Sequence, residues 1–262
     1  MCMEKYDIII LAGQSNAEGT GIGLVEQEYV PDERVLFLDA EKTVEVAPEG
    51  MRVTYADKPF VIKQAEENIN EAGEKVGNFS LSFAKRYVAA GLLQEGRKLL
   101  IIRAAIGGTG FQKGNWGLTA PLYLKMLEMT DYALSLHPEN RVAAFLWHQG
   151  EHDAFEGNLP ENYKKQLFEM ITDFRLRYGN MPFIAADFVN EWKTLNIDIC
   201  APIIEVIKEV SRDLGNGAFV ETADLLSNNQ TLKNGDNIHF SRQSLQILGG
   251  RYFDAFQRLK KV

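Results

Sequence analysis

The 262-residue chain reads as an α/β protein in which helices cover a central parallel sheet. Three observations predict this. Short β-rich apolar runs alternate with longer segments of helical period. Each run is apolar at nearly every residue, as a strand needs when both of its faces are covered. No flexible linker, internal repeat or low-complexity stretch divides the chain, so residues 1–262 read as one domain.

The candidate core strands are "YDIIILA", "KLLIIRAA", "VAAFLWH", "MPFIAADF" and "GAFVETA", a sheet of about five strands. Helices fall between them. In "NFSLSFAKRYVAAG", Leu81, Phe83, Ala84 and Val88 share one face, and Gly91 suits the stop. "APLYLKMLEMTDYALSLHP" ends before Pro138 and "ENYKKQLFEMITDFRLRYG" ends at Gly179. "SRQSLQILGGRYFDAFQRLKK" closes the chain with Ser241 as its N-cap. The stretch from about residue 30 to 77, with charge-rich and proline-containing pieces, reads as an excursion of short strands and loops between the first and second core strands.

Composition narrows the function. A hydrophobic share of 45% and a charged share of 24% match an ordinary globular protein rather than a disordered or membrane chain. The net charge of −8 disfavours sequence-independent nucleic-acid binding, which depends on a basic surface. Cys2 and Cys200 imply neither a disulfide framework nor a cysteine zinc site. The apolar stretch in "MCMEKYDIIILAG" is too short for a signal peptide, and no run approaches membrane-spanning length. A cytoplasmic protein without a membrane partner is the expectation.

In an open α/β sheet, ligands bind beyond the carboxyl ends of the strands. There this chain places "GQSN", "IGGTGFQKGNW" and "HQGEHD", with "NGDNIHFS" just before the last helix. From these loops an acyl-transfer site can be assembled. Ser15 would be the nucleophile at a strand-to-helix turn, and His239 its base. Asp236, three residues earlier, would hold the imidazole in the right tautomer. The N–H groups of Ser15 and Gly108, with the Gln149 amide, would donate to the oxyanion. Gln14, Asn16, Trp116 and Glu151 lie in the same loops and are candidates for substrate binding.

Each piece also has a plainer reading. Ser15 serves as an N-cap, the glycine pair as a turn, "DNIH" as a satisfied loop and His137 as a surface histidine. Trp116 reads equally as a surface for a sugar ring or as a core anchor of its loop, and Trp147 as core. Only the joint occurrence of nucleophile, base, orienter and donors favours catalysis. The α/β-hydrolase elbow is disfavoured, because G-x-S-x-G would need glycine where Ala17 stands.

Taken together, "GQSN", "GGT", "WHQGEHD" and "DNIHF" resemble the SGNH-hydrolase superfamily, from Ile8 to about Phe240. Within it they are similar to the sialate O-acetylesterase and acetylxylan-esterase branch, family six of the carbohydrate esterases. The resemblance implies a three-layer α/β/α, flavodoxin-like fold. It also implies removal of O-acetyl groups from sugars without a cofactor, through Ser15, His239 and Asp236, with Gly108 and Gln149 in the oxyanion hole. The partner implied is a small acetylated sugar or oligosaccharide; no oligomeric state follows. The chain departs from the branch at Glu18, which adds a charge near the nucleophile, and at His152, where a small serine is common.

His152 creates a competing motif. "HQGEH" fits the H-x-x-E-H pattern of inverted zinc peptidases, with His148, Glu151 and His152 at the metal. That pattern needs a helix, whereas this one follows a β run and contains Gly150. A third class, a sugar-binding relative without turnover, has no support in the sequence, since every catalytic position is filled.

Overall fold

The computed structural model describes residues 4–47 and 50–260; Cys2 lies outside them, so the expectation for that cysteine is not addressed. The chain opens with β1 (Lys5–Gly13) and turns at once into the short α1 (Ser15–Glu18). Next come β2 (Val35–Asp39), β3 (Lys42–Ala47), β4 (Gly50–Tyr55), β5 (Val61–Gln64), β6 (Asn68–Ile69) and β7 (Lys75–Val76), leading to α2 (Phe79–Ala89). An alternating stretch follows: β8 (Arg97–Arg103), α3 (Pro121–Ser135), β9 (Arg141–His148), α4 (Glu151–Phe155), α5 (Pro160–Tyr178) and β10 (Phe183–Ala186). It continues through α6 (Asn190–Leu195), α7 (Ile197–Asp213), β11 (Gly217–Val220), α8 (Asn228–Leu232) and α9 (Arg242–Lys260).

The main sheet runs β11-β10-β9-β1-β8-β2-β5, and every neighbouring pair is parallel except β2 with β5. The α/β class and the five expected core strands hold, but the sheet has seven strands. The two additional ones, β2 and β5, come from the excursion. "VLFLD" is short and lies among charges, yet Val35, Phe37 and Leu38 are buried against β8. The excursion also forms its own β3–β4 hairpin outside the main sheet.

Central strand β1 is buried along Ile8–Ala12, and each such aliphatic side chain contributes about 1.5–3 kcal/mol. Helices flank the sheet in two groups. α2 packs on α9; α3 meets α5 through the Tyr123 hydroxyl donating to Asp173 at 2.6 Å, and α5 packs on α7. Asn78 caps α2 by accepting from the Ser80 N–H at 2.8 Å, and Ser241 caps α9 by accepting from the Ser244 N–H at 3.2 Å, as the sequence predicts.

β8 and β9 border β1 on opposite sides, so the chain crosses over β1 on its way between them. The loops after these three strands therefore diverge and open a crevice at the carboxyl edge. Among the described residues, no helix is long and apolar enough to cross a membrane.

Candidate active site

β1 can run straight into its polar turn because Gly13 has no side chain. A Cβ at Gly13 would lie 2.0 Å from the His148 carbonyl oxygen, and its φ of 128° suits glycine. That carbonyl accepts the Gln14 N–H at 2.9 Å, which fixes where the chain leaves the sheet. Ser15 follows, 8% exposed, at the wall of an open cleft of about 540 Å³. The cleft is shared by Ser15, Gly107, Gly108, His152, Ile238 and His239, so all four nominated loops meet there directly.

His239 and Asp236 sit on the loop between α8 and α9. The backbone N–H groups of Asn228 and Asn229 donate to the carbonyls of His239 and Asp236, at 2.9 and 2.8 Å. His239 Nδ1 lies 2.9 and 3.0 Å from the two Asp236 oxygens, leaving Nε2 for the cleft. Burial alone would raise the Asp236 carboxyl; hydrogen bonds from His239 and Asn228 outweigh it and hold the group below its ordinary value. The Asn228 amide donates to Asp236 at 2.9 Å and completes the support.

Gly108 adopts a φ of 67°, and a Cβ there would approach the Met51 side chain to 2.7 Å. Met51 arrives from the β3–β4 hairpin, whose backbone is tied to this loop by the Asn115 amide donating to the Met51 carbonyl at 3.0 Å. Glu18 accepts the neighbouring Gly107 N–H at 2.8 Å and faces Lys42 of β3 at 3.8 Å. The extra charge at position 18 thus clamps the glycine turn.

Several nominated residues lie elsewhere than expected. Gln149 is buried and outside the cleft lining. Its amide donates to Asp153 at 2.6 Å and to the Thr109 carbonyl at 3.2 Å, while its own oxygen accepts from Tyr163 at 3.1 Å. Both amide hydrogens are committed, so this corrects the assignment of Gln149 as an oxyanion donor: it braces the glycine loop from beneath. Asp153 extends the brace by accepting the N–H groups of Phe111 and Gln112 at 3.0 and 2.8 Å.

Trp116 is a core anchor, 1% exposed, with its indole N–H donating to Thr109 at 3.1 Å and its ring edge-to-face with Trp147. It does not line the cleft that Ser15 and His239 share, which corrects its placement among substrate-binding candidates. Asn16 is likewise fully buried and bonded within the protein. Glu151 borders the cleft floor but is itself fully buried. Gln14 lines the cleft, and its side-chain oxygen accepts the His152 N–H at 3.2 Å. The sequence reading passed over Phe155 and Trp192, which line the cleft from α4 and α6. An aromatic at a helix end just after a nominated loop was the available signal for Phe155.

The "HQGEH" segment is split by the fold. His148 ends β9, Gly150 caps α4, and only Glu151 and His152 are helical. His148 is wholly buried with Nε2 on the Asp187 carbonyl at 3.2 Å, and burial lowers its basicity; His152 lines the cleft. The two histidines do not share a helix face, so the inverted-zincin arrangement is not formed.

A mostly parallel α/β sheet that brings a serine, a glycine turn and a histidine paired with an aspartate to one cleft at its carboxyl edge has the parts of an ester hydrolase. A family model described as carbohydrate esterase, sialic acid-specific acetylesterase, matches residues 5–258, and the chain belongs to that family. It is therefore a carboxylic ester hydrolase acting as a carbohydrate O-acetylesterase. The chain is 22% identical over 228 residues to a probable 9-O-acetyl-N-acetylneuraminic acid deacetylase of Escherichia coli (strain K12), covering 72% of this chain and 69% of that one. The crystal structure of NanS superposes with a TM-score of 0.77 at 19% identity, covering 100% of this chain and 99% of the other. A protein from Arabidopsis thaliana gives 0.66 at 20% identity, covering 97% and 98%.

Proposed function

We propose that this chain removes acetyl groups from sugars by a serine mechanism. Ser15 Oγ attacks the acetyl carbonyl while His239 Nε2 takes the hydroxyl proton. The developing oxyanion is met by the N–H groups of Ser15 and Gly108. His239 then gives its proton to the departing sugar oxygen, leaving an acetyl group on Ser15. A water molecule, deprotonated by the same imidazole, attacks that ester; acetate leaves and Ser15 regains its proton. The carrying observation is that His239, paired with Asp236 at 2.9 Å, lines one cleft with Ser15 and Gly108.

The sugar moiety would rest on Phe155, which lines the cleft at 72% exposure and whose aromatic face suits the C–H face of a pyranose, with the buried Trp192 beside it. The family description and the bacterial relative's name support an O-acetylated sialic acid as substrate, ahead of acetylated xylo-oligosaccharide. A composition with two cysteines, of which Cys200 is a buried free thiol, supports a cytoplasmic setting.

A serine-directed organophosphonate tests the mechanism. One adduct, mapped by mass spectrometry to Ser15, is expected. Labelling elsewhere, or full esterase activity in Ser15→Ala, overturns it. Acetate release from 9-O-acetylated sialic acid, acetylated xylo-oligosaccharide and p-nitrophenyl acetate ranks the substrates.

A further inference from the structure

The residue after the proposed nucleophile bonds to both sides of the proposed base. Asn16 donates through Nδ2 to the Ile238 carbonyl at 3.1 Å and accepts through Oδ1 from the Phe240 N–H at 3.0 Å. Residues 238 and 240 flank His239. One side-chain amide thus pairs with that segment as a neighbouring strand's peptide group would, across a sequence separation of 222 to 224 residues.

An amide placed this way works in only one of its two orientations. Nδ2 also donates to Glu151 Oε1 at 3.0 Å. If the group were flipped, its oxygen would face two acceptors, the Ile238 carbonyl and Glu151, and its NH₂ would face the Phe240 donor. Glu151 therefore selects the orientation. It is fully buried at the start of α4, and its second oxygen has no partner. His148 Nδ1, 3.5 Å from Glu151 Oε1, also has no hydrogen-bond partner. A carboxylate held here at such desolvation cost has its one hydrogen bond with Asn16.

We propose that Asn16 is the positioning residue that sets His239 against Ser15, and that Glu151 locks the Asn16 amide in the working orientation. The proposal rests on the reading of Ser15 and His239 as nucleophile and base. Because Asn16 is joined to Ser15 by a peptide bond and grips residues on both sides of His239, the two reacting groups are registered through a single side chain. Neither Asn16 nor Glu151 needs to touch the substrate.

The test compares Asn16→Ala, Glu151→Ala and Glu151→Gln with Ser15→Ala, using kcat and KM on p-nitrophenyl acetate, the rate of organophosphonate labelling, and melting curves. Loss of the brace should lower kcat and labelling together by about 10²-fold in Asn16→Ala, the scale of a small misplacement of reacting groups, with KM nearly unchanged. Glu151→Gln keeps an oxygen that can accept from Asn16 Nδ2, so it should approach wild type while Glu151→Ala does not. Wild-type labelling in Asn16→Ala, or a loss no larger than the unfolded fraction, overturns the proposal. If Asn16→Ala fails to fold, the Glu151 pair decides: equal loss in both variants overturns it, and rescue by Gln supports it. Activity surviving in Ser15→Ala would instead refute the serine mechanism beneath it.

Discussion

At its amino end β1 carries Asp7, and at its carboxyl end it delivers Ser15. Asp7 is fully buried, but each of its oxygens is satisfied: Arg97 and Arg141 donate to one at 2.9 and 2.8 Å, and Tyr87 and Arg141 to the other at 2.8 and 3.2 Å. At the carboxyl edge the accounting is incomplete. The buried side-chain atoms without a partner, among the described residues, are His148 Nδ1, Glu151 Oε2, His152 Nε2 and Asn158 Oδ1, all between the last residue of β9 and the start of α5. The difference teaches where this fold commits every buried polar atom to cohesion and where it leaves some uncommitted. A fully paired buried ion cluster anchors one end of the strand, and the unpartnered atoms gather around the other.

The sharpest way to break the comparison is to cut the carboxyl end alone. Asp236→Asn should lower kcat by about 10⁴-fold by favouring the wrong imidazole tautomer, with little change in melting temperature. Steady-state kinetics beside a melting curve check both halves of that expectation.

The converse cut, Asp7→Asn, strips the charge from a buried cluster and leaves two arginines facing a neutral amide. A stability loss of about 3–5 kcal/mol is expected by denaturant titration, with kcat per folded molecule unchanged. Its pH dependence follows from sign. Burial raises the Asp7 carboxyl, but bonds from Arg141 and Tyr87 and the charges of Arg141 and Arg97 outweigh burial and hold it below 3.8. A depressed native pKa stabilises the fold fully above the unfolded value, and the contribution fades as pH falls from 3.8 through the native one. Wild type should therefore lose stability across that acid range, and Asp7→Asn should lack this component.

Gln149→Ala sharpens the boundary between the two kinds of residue. A direct oxyanion donor would cost about 10²–10³ in kcat. A brace under the glycine loop should instead cost about 1–3 kcal/mol of stability, because Asp153 and the Thr109 carbonyl lose their donor. Turnover of the folded fraction should fall by less than about tenfold. The smallest effect is expected from dialysis against a strong chelator, which should leave kcat unchanged; loss with recovery on adding zinc would return attention to His148, Glu151 and His152.

Much of this was legible in the sequence because burial on both faces leaves an unbroken apolar signature. β1, β8, β9, β10 and β11 all fall within or beside the expected runs. β2 and β5 were not legible: Val61 and Lys63 of β5 are largely exposed, so an edge strand of the main sheet carries no core signature. The amphipathic α7, which holds Pro202 inside it, was also passed over. At the site, residue type and spacing nominated the right loops, but not which donors were already committed. Nothing in "WHQGEHD" says that Asp153, four residues on, takes the Gln149 amide. Nor does "GQSN" say that Asn16 faces inward to a segment more than two hundred residues away.

That distance has a consequence for the growing chain. Ser15 is made before most of its neighbours in the cleft, which come from later stretches of the chain as far as His239. A nascent polypeptide halted between Ser15 and His239 would carry the serine but neither the proposed base nor the backbone N–H that Asn16 accepts. Under the proposed serine mechanism, hydrolysis would begin only when this loop docks, and the onset of activity would serve as a clock for completed folding.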